Sequence, residues 1–154
     1  MNYLIIFIRQ TDSHLTNIIR AKIIFKNERV EDFIFKPNTY NIVIANYILH
    51  FLNQNDRAKI IDSIYDALLP NGILYLKTFH TKTRKIISDG IKDGENIYRD
   101  PNPESILKFY LPSYNQLVED MKRFSIIGMN ELSKIDETDI VLVGRKVNKK
   151  TAFT

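Results

Sequence analysis

The chain has 154 residues, carries 22 Lys and Arg against 18 Asp and Glu for a net charge of +4, and contains no cysteine. That length fits one domain able to bury a core without disulfides or a structural metal, and the lack of cysteine excludes thiolate nucleophiles and Cys-based zinc sites while fitting a cytoplasmic location. His14, His50 and His80 do not stand at the short helical spacing of a zinc motif, so no metal is expected.

The apolar opening from Tyr3 to Ile8 is too short for a membrane span and lacks the flanks of a signal peptide. Together with Asn2 it reads as a strand buried on both faces of a parallel sheet. The polar stretch Arg9 to His14 leads into a short helix with Leu15, Ile18 and Ile19 on one face and Asp12 or Ser13 as N-cap. A second strand is predicted near Lys22 to Lys26, followed by an acidic turn, Glu28 to Asp32, and the run Phe33-Ile34-Phe35. Pro37-Asn38 marks a turn before a strong strand, Tyr40 to Ala45.

After Leu52, the sequence NQND supplies cap residues, and Ile61, Ile64, Tyr65 and Leu68 recur at helical spacing. The helix is expected to end at LLPNG, where Pro70 stops it and Gly72 permits a reversal into the strand Ile73 to Phe79. Strand, helix and strand in this order imply a right-handed crossover and a parallel pair. His80 to Leu111 is polar, with weak helical signal around Ile86 and from Ser105 to Phe109. It reads as a substrate-covering lid at the carboxyl end of a central strand, or as a mobile surface loop.

Ser113 and Gln116 form a capping box for a helix whose Leu117, Met121 and Phe124 share a face. Two strands, Phe124 to Leu132 and Asp139 to Val147, flank the short turn SKIDET and so form an antiparallel hairpin. With no linker or repeat, residues 1–147 read as one domain and 148–154 as a basic tail. Basic residues gather at KTFHTKTRK, from Lys77 to Lys85, and at RKVNKK, from Arg145 to Lys150. Such runs are ordinarily solvated; the alternative is a surface for nucleic acid or an acidic substrate.

YNIVIANYILHFL, LLPNGILYLKTF, FYLPSYNQLVEDMKRFSIIGMNEL and DIVLVGRK resemble, in order, the fourth strand, the proline–glycine turn with fifth strand, the later helix with sixth strand, and the seventh strand of the S-adenosylmethionine-dependent methyltransferases. The resemblance covers roughly residues 28 to 147 and implies an α/β, Rossmann-like sheet, mainly parallel, ending in an antiparallel hairpin and shortened at the amino end. It implies S-adenosylmethionine as cofactor and a small-molecule or nucleic-acid methyl acceptor. Methyl transfer from a sulfonium asks mainly for proximity and alignment, so the transferable residues are contacts. Glu31 and Asp32 resemble the adenine-side segment, with Asp32 the preferred residue. Asn46 and Tyr47 match the position facing the methyl group and acceptor, Asn46 touching cofactor as well, and His50 lies about one helical turn further.

Each has a plainer reading: Asp32 as a turn residue, Asn46 as a strand-end cap, Tyr47 and His50 as packing. The family's glycine-rich loop after the first strand is not matched, since the first glycine of this chain is Gly72. In one alignment Asn2 to Ile8 is the second strand and Asp12 stands near the ribose-binding position; in the other it is a first strand with an altered loop. Two functions therefore compete: a methyltransferase, and a cofactor-free methyltransferase-like module that pairs as an oligomer, such as a homodimer, to cover an exposed sheet edge or face. A metal-dependent nuclease is more distant, resting only on Glu31-Asp32 and on Glu119-Asp120, the latter read as a solvated helix face.

Overall fold

The computed structural model describes residues 29–147 in full, and before them the backbone of two strands, β1 (Leu4–Arg9) and β2 (Lys22–Asn27). Expectations for Asp12, for the helix around Leu15 and for the basic tail lie outside the described residues. β1 and β2 pair antiparallel, Leu4 opposite Asn27 and Arg9 opposite Lys22. This differs from the parallel arrangement expected of an apolar run; alternation cannot distinguish the two because both bury such strands when covered. β1 also runs close to β3 (Tyr40–Asn46) without joining its hydrogen-bonded ladder.

From β3 the chain makes a 3-10 turn, Leu49–Phe51, and enters α1 (Gln54–Ala67). Asn53 caps α1 by accepting the Asp56 N–H at 3.0 Å, worth ~1 kcal/mol. Ile60, Ile61, Ile64 and Tyr65 form its buried face. Helix geometry stops at Ala67, earlier than expected, and β4 (Leu68–Phe79) begins at once. Pro70 donates no N–H and pushes Leu69 toward an extended backbone, so the break precedes the proline. The left-handed residue of the turn is Asn71, φ 64. Gly72 is required for closeness instead, because a Cβ there would stand 2.8 Å from the Leu69 carbonyl oxygen.

Beyond β4, α2 (Arg84–Asp89) is followed by three short strands, β5 (Ile91–Gly94), β6 (Ile97–Arg99) and β7 (Lys108–Tyr110), in an antiparallel meander. The segment read as loop with weak helical signal therefore holds a short helix and a small three-stranded sheet. The capping box is present: Ser113 Oγ accepts the Gln116 N–H at 3.3 Å, and Gln116 Oε1 accepts the Ser113 N–H at 2.8 Å. It opens α3 (Tyr114–Asp120), and the hairpin β8 (Phe124–Ser133) and β9 (Thr138–Lys146) follows.

The central sheet has the order β3-β4-β9-β8, with β3 and β4 parallel and the other two pairs antiparallel. Val43, Ala45, Leu74, Leu76, Ile140 and Leu142 bury one face, packed in one core with Ile61 and Ile64 of α1 and Leu117 of α3. Full burial of each of these Val, Leu and Ile side chains contributes ~1.5–3 kcal/mol. On the opposite side Ile42 and Ile44 remain 51% exposed.

Asp120 corrects the expectation of a solvated acidic face. Its carboxylate accepts Arg57 Nε at 2.6 Å, with both side chains under 5% exposed, and joins α3 to α1. Glu119 does face solvent, paired with Lys122. Among the described residues no helix is long and apolar enough to cross a membrane.

Candidate functional site

In a parallel pair both carboxyl ends lie on the same edge, which is where open α/β sheets hold ligands. Asn46 stands in register with Lys77, and Phe79 with Asp139 at the start of β9. Three strands thus bring their polar ends together.

Tyr47, just past β3, has φ 54. Among the described residues the other non-glycine positions in this region of backbone space are asparagines, Asn38, Asn71 and Asn96, which tolerate it. A bulky residue there costs ~1–3 kcal/mol and persists only where its surroundings fix it. Two contacts do so: the Tyr47 N–H donates to the Lys77 carbonyl at 2.8 Å, and its phenol donates to Asp139 Oδ2 at 2.5 Å.

Lys77 Nζ lies 3.1 Å from the same Asp139 oxygen and 4.7 Å from the centroid of the Tyr47 ring. Hydrogen bonds to Tyr47 and Asp139 push the Lys77 pKa up to about 12, holding it protonated. Burial, followed by donation to Asp139, raises that of Tyr47, so its phenol stays neutral. Asp139 Oδ1 is buried and has no hydrogen-bond partner among the described residues.

His50 is 1% exposed. Its Nδ1 is 3.3 Å from Thr78 Oγ1, and its ring meets Phe51 at 4.2 Å, Phe79 at 4.6 Å and Phe109 of β7 at 6.0 Å between centroids. Burial lowers its pKa to about 4, opposed by the Asp139 charge. At neutral pH His50 is therefore an uncharged ring that links the meander to the end of β3.

The acidic turn forms a second region. Asp32 is exposed and its N–H closes the turn on the Arg29 carbonyl at 3.1 Å. Glu31 is half-buried: Oε1 accepts Arg29 at 2.8 Å, while Oε2 is buried without a hydrogen-bond partner among the described residues. Val30 and Phe35 line an apolar cleft together with Ala45, Ile48 and Leu49. Hence Asn46, Tyr47 and His50 gather at the sheet edge, and Glu31 rather than Asp32 turns a carboxylate oxygen inward.

Lys77, Asp139 and the aromatic partners Phe79 and Phe109 were not singled out from the sequence. The available signal was a lone charge at the start of an otherwise apolar strand, DIVLV, and another within LYLKTF; such charges are rarely buried unless paired.

Residues 8–76 match the family model described as a methyltransferase domain. Over 68 residues, 44% of this chain, the sequence is 34% identical to carboxy-S-adenosyl-L-methionine synthase of Actinobacillus pleuropneumoniae serotype 7, of which the match covers 28%. The chain thus spans less than a third of the curated relatives it matches. An S-adenosylmethionine-dependent methyltransferase from Methanosarcina mazei superposes with a TM-score of 0.69 at 21% identity, covering 90% of this chain and 74% of that one. The 1,6-didemethyltoxoflavin-N1-methyltransferase of Burkholderia thailandensis, solved with 1,6-didemethyltoxoflavin and S-adenosylhomocysteine, gives 0.58 at 15% identity, covering 77% and 48%. These structural likenesses establish the fold, and the sequence match falls on the crossover that builds the polar edge. Residues 8–76 thus match a methyltransferase-domain model, and the chain shares the fold of S-adenosylmethionine-dependent methyltransferases of known structure.

Proposed function

We propose that the chain is an S-adenosylmethionine-dependent methyltransferase acting on a small-molecule or nucleic-acid acceptor. The observation that carries this reading is Tyr47, held in strained backbone geometry at the ligand-bearing sheet edge of a methyltransferase fold. Strain of this kind concentrates at functional sites.

The chain's own groups fit part of the cofactor. The apolar cleft of Val30, Phe35, Ala45 and Ile48 suits a purine face. The unpartnered Glu31 Oε2 is an acceptor of the kind that amino or hydroxyl donors satisfy. Glu31 and the cleft would hold the adenosine portion, Asp32 lies at the rim, and Asn46 stands between cofactor and acceptor. Asp12 remains a ribose-side proposal. When bound, the cofactor supplies an electrophilic methyl group. The chain then contributes alignment, with Tyr47 and Lys77 fixing the acceptor end and His50 supporting the aromatic floor beneath it.

In the same reading residues 1–147 act as one domain, the α2–β7 segment covers the acceptor, the basic tail stays solvated, and the protein is cytoplasmic. A homodimer would shield Ile42 and Ile44, which light scattering on the purified chain tests. The deciding experiment for the activity is calorimetric titration with S-adenosylmethionine and S-adenosylhomocysteine. One-to-one binding in the micromolar range is expected; absence of heat at millimolar cofactor would sink the reading and favour the cofactor-free module.

A further inference from the structure

Resting on the methyltransferase reading, we infer that the acceptor is a planar aromatic or heteroaromatic molecule bearing a hydroxyl or ring N–H, stacked on the ring array and donating to Tyr47 Oη. Two independent features point to this class.

The first is the ring array. Tyr47 and Phe79 meet at 5.0 Å between centroids, Phe79 meets His50 at 4.6 Å, and Phe51 meets Phe109 at 5.5 Å. His50 is buried, but Tyr47, Phe51, Phe79 and Phe109 are each only half-buried, so ring surface is left accessible along the array. Stacked and edge-on arrangements add attraction specific to another aromatic ring. An aliphatic acceptor gains area alone.

The second is the polarity at one end of the array. The single phenol proton of Tyr47 is committed to Asp139 Oδ2. The Tyr47 oxygen therefore offers only lone pairs to anything approaching it, and Lys77 occupies no more than one of the two. Beside it, Asp139 Oδ1 is a buried acceptor without a partner. Beside the Lys77 ammonium, one lone pair of Tyr47 Oη and the Asp139 Oδ1 acceptor thus remain to be satisfied, and a ligand carrying O–H or N–H satisfies one of them. That heteroatom is also the atom methylated: its bond to the methyl carbon forms as the sulfonium carbon–sulfur bond breaks, and its proton leaves to solvent.

The test uses 4-nitrophenol as probe and cyclohexanol as its non-aromatic control, followed by saturation-transfer NMR and absorbance titration on the full chain. Saturable one-to-one binding of 4-nitrophenol is expected, with no competition from cyclohexanol at equal concentration. Tyr47→Phe keeps the ring and removes the oxygen, and should weaken the probe at least five-fold. Phe109→Ala, on the short outer strand β7, should weaken it at least three-fold and provides a second measurement if the first variant does not fold. Unchanged affinity in both variants, or equal competition by cyclohexanol, overturns the assignment. S-adenosylhomocysteine titrated into the same samples separates the two readings. Cofactor binding without probe binding refutes the aromatic acceptor alone, whereas Tyr47-dependent probe binding without cofactor binding refutes the methyltransferase and leaves the ring site standing.

Discussion

Lowering the pH from neutrality should destabilise the fold, with His50 the largest resolved contributor. Its folded pKa is depressed to about 4 from an ordinary 6.5 because burial penalises the imidazolium. A base depressed in the folded state binds its proton more readily when unfolded. Its contribution is therefore intact above about pH 6.5, begins to fall as pH drops through that value, and is exhausted near pH 4. At ~1.4 kcal/mol per pH unit the whole gap amounts to about 3 kcal/mol, of which about 2 kcal/mol is lost between pH 7 and pH 5.

The measurement is urea denaturation at several pH values in wild type and in His50→Phe. Phenylalanine preserves the contacts with Phe51, Phe79 and Phe109 but leaves Thr78 Oγ1 without its ring partner. The variant should start ~1 kcal/mol less stable at neutral pH and show a shallower slope between pH 7 and pH 5. His80, whose pKa is also lowered by burial, contributes in the same window in both proteins and cancels in the comparison. Equal slopes, or an NMR titration placing His50 at 6 or above, would refute the reasoning. The outcome bears on function, since a base this weak is unsuited to taking a proton at neutral pH and leaves His50 a positioning role.

Replacing Asp120 with Ala should cost ~3–5 kcal/mol by stranding the buried Arg57 guanidinium, whose Nη2 already lacks a partner among the described residues. Adding Arg57→Met should recover much of that loss in the denaturation midpoint, and no recovery would mean the pair is not coupled. At the turn, Glu31→Ala should weaken S-adenosylhomocysteine binding about ten-fold, the cost of one charge-assisted hydrogen bond at ~1.5–3 kcal/mol. Asp32→Ala, on an exposed side chain, should change it less; the reverse order in calorimetry would return Asp32 to the site.

The parts of this fold that can be read from sequence are those whose signals are local. Asn53 before α1, the Ser113–Gln116 box and the Pro70 break each act within a few residues, and the short turn after β8 forces a hairpin. The meander is otherwise. IKDG, IYR and KFY are too short to show alternation, and β6 is held as a strand by pairing with β5 on one side and, across an intervening loop, with β7 on the other. Asp120 was legible in principle. It stands three residues after Leu117, on the helix face that Leu117 also occupies, and adjacency to Glu119 concealed it.

The same distinction explains why the acceptor end was only half visible. Asn46 and Tyr47 follow directly from the strand that carries them, whereas Asp139 reaches Tyr47 across 92 positions of sequence and enters the site only when β9 inserts beside β4. That insertion has a chemical consequence. Without Asp139, Lys77 would confront the phenol as an unpaired cation and draw its pKa down; with it, the three groups settle as an ammonium, a carboxylate and a neutral phenol that donates to the carboxylate. The antiparallel hairpin thus does more than complete the sheet: through Asp139 it sets the polarity of the edge that the parallel crossover builds.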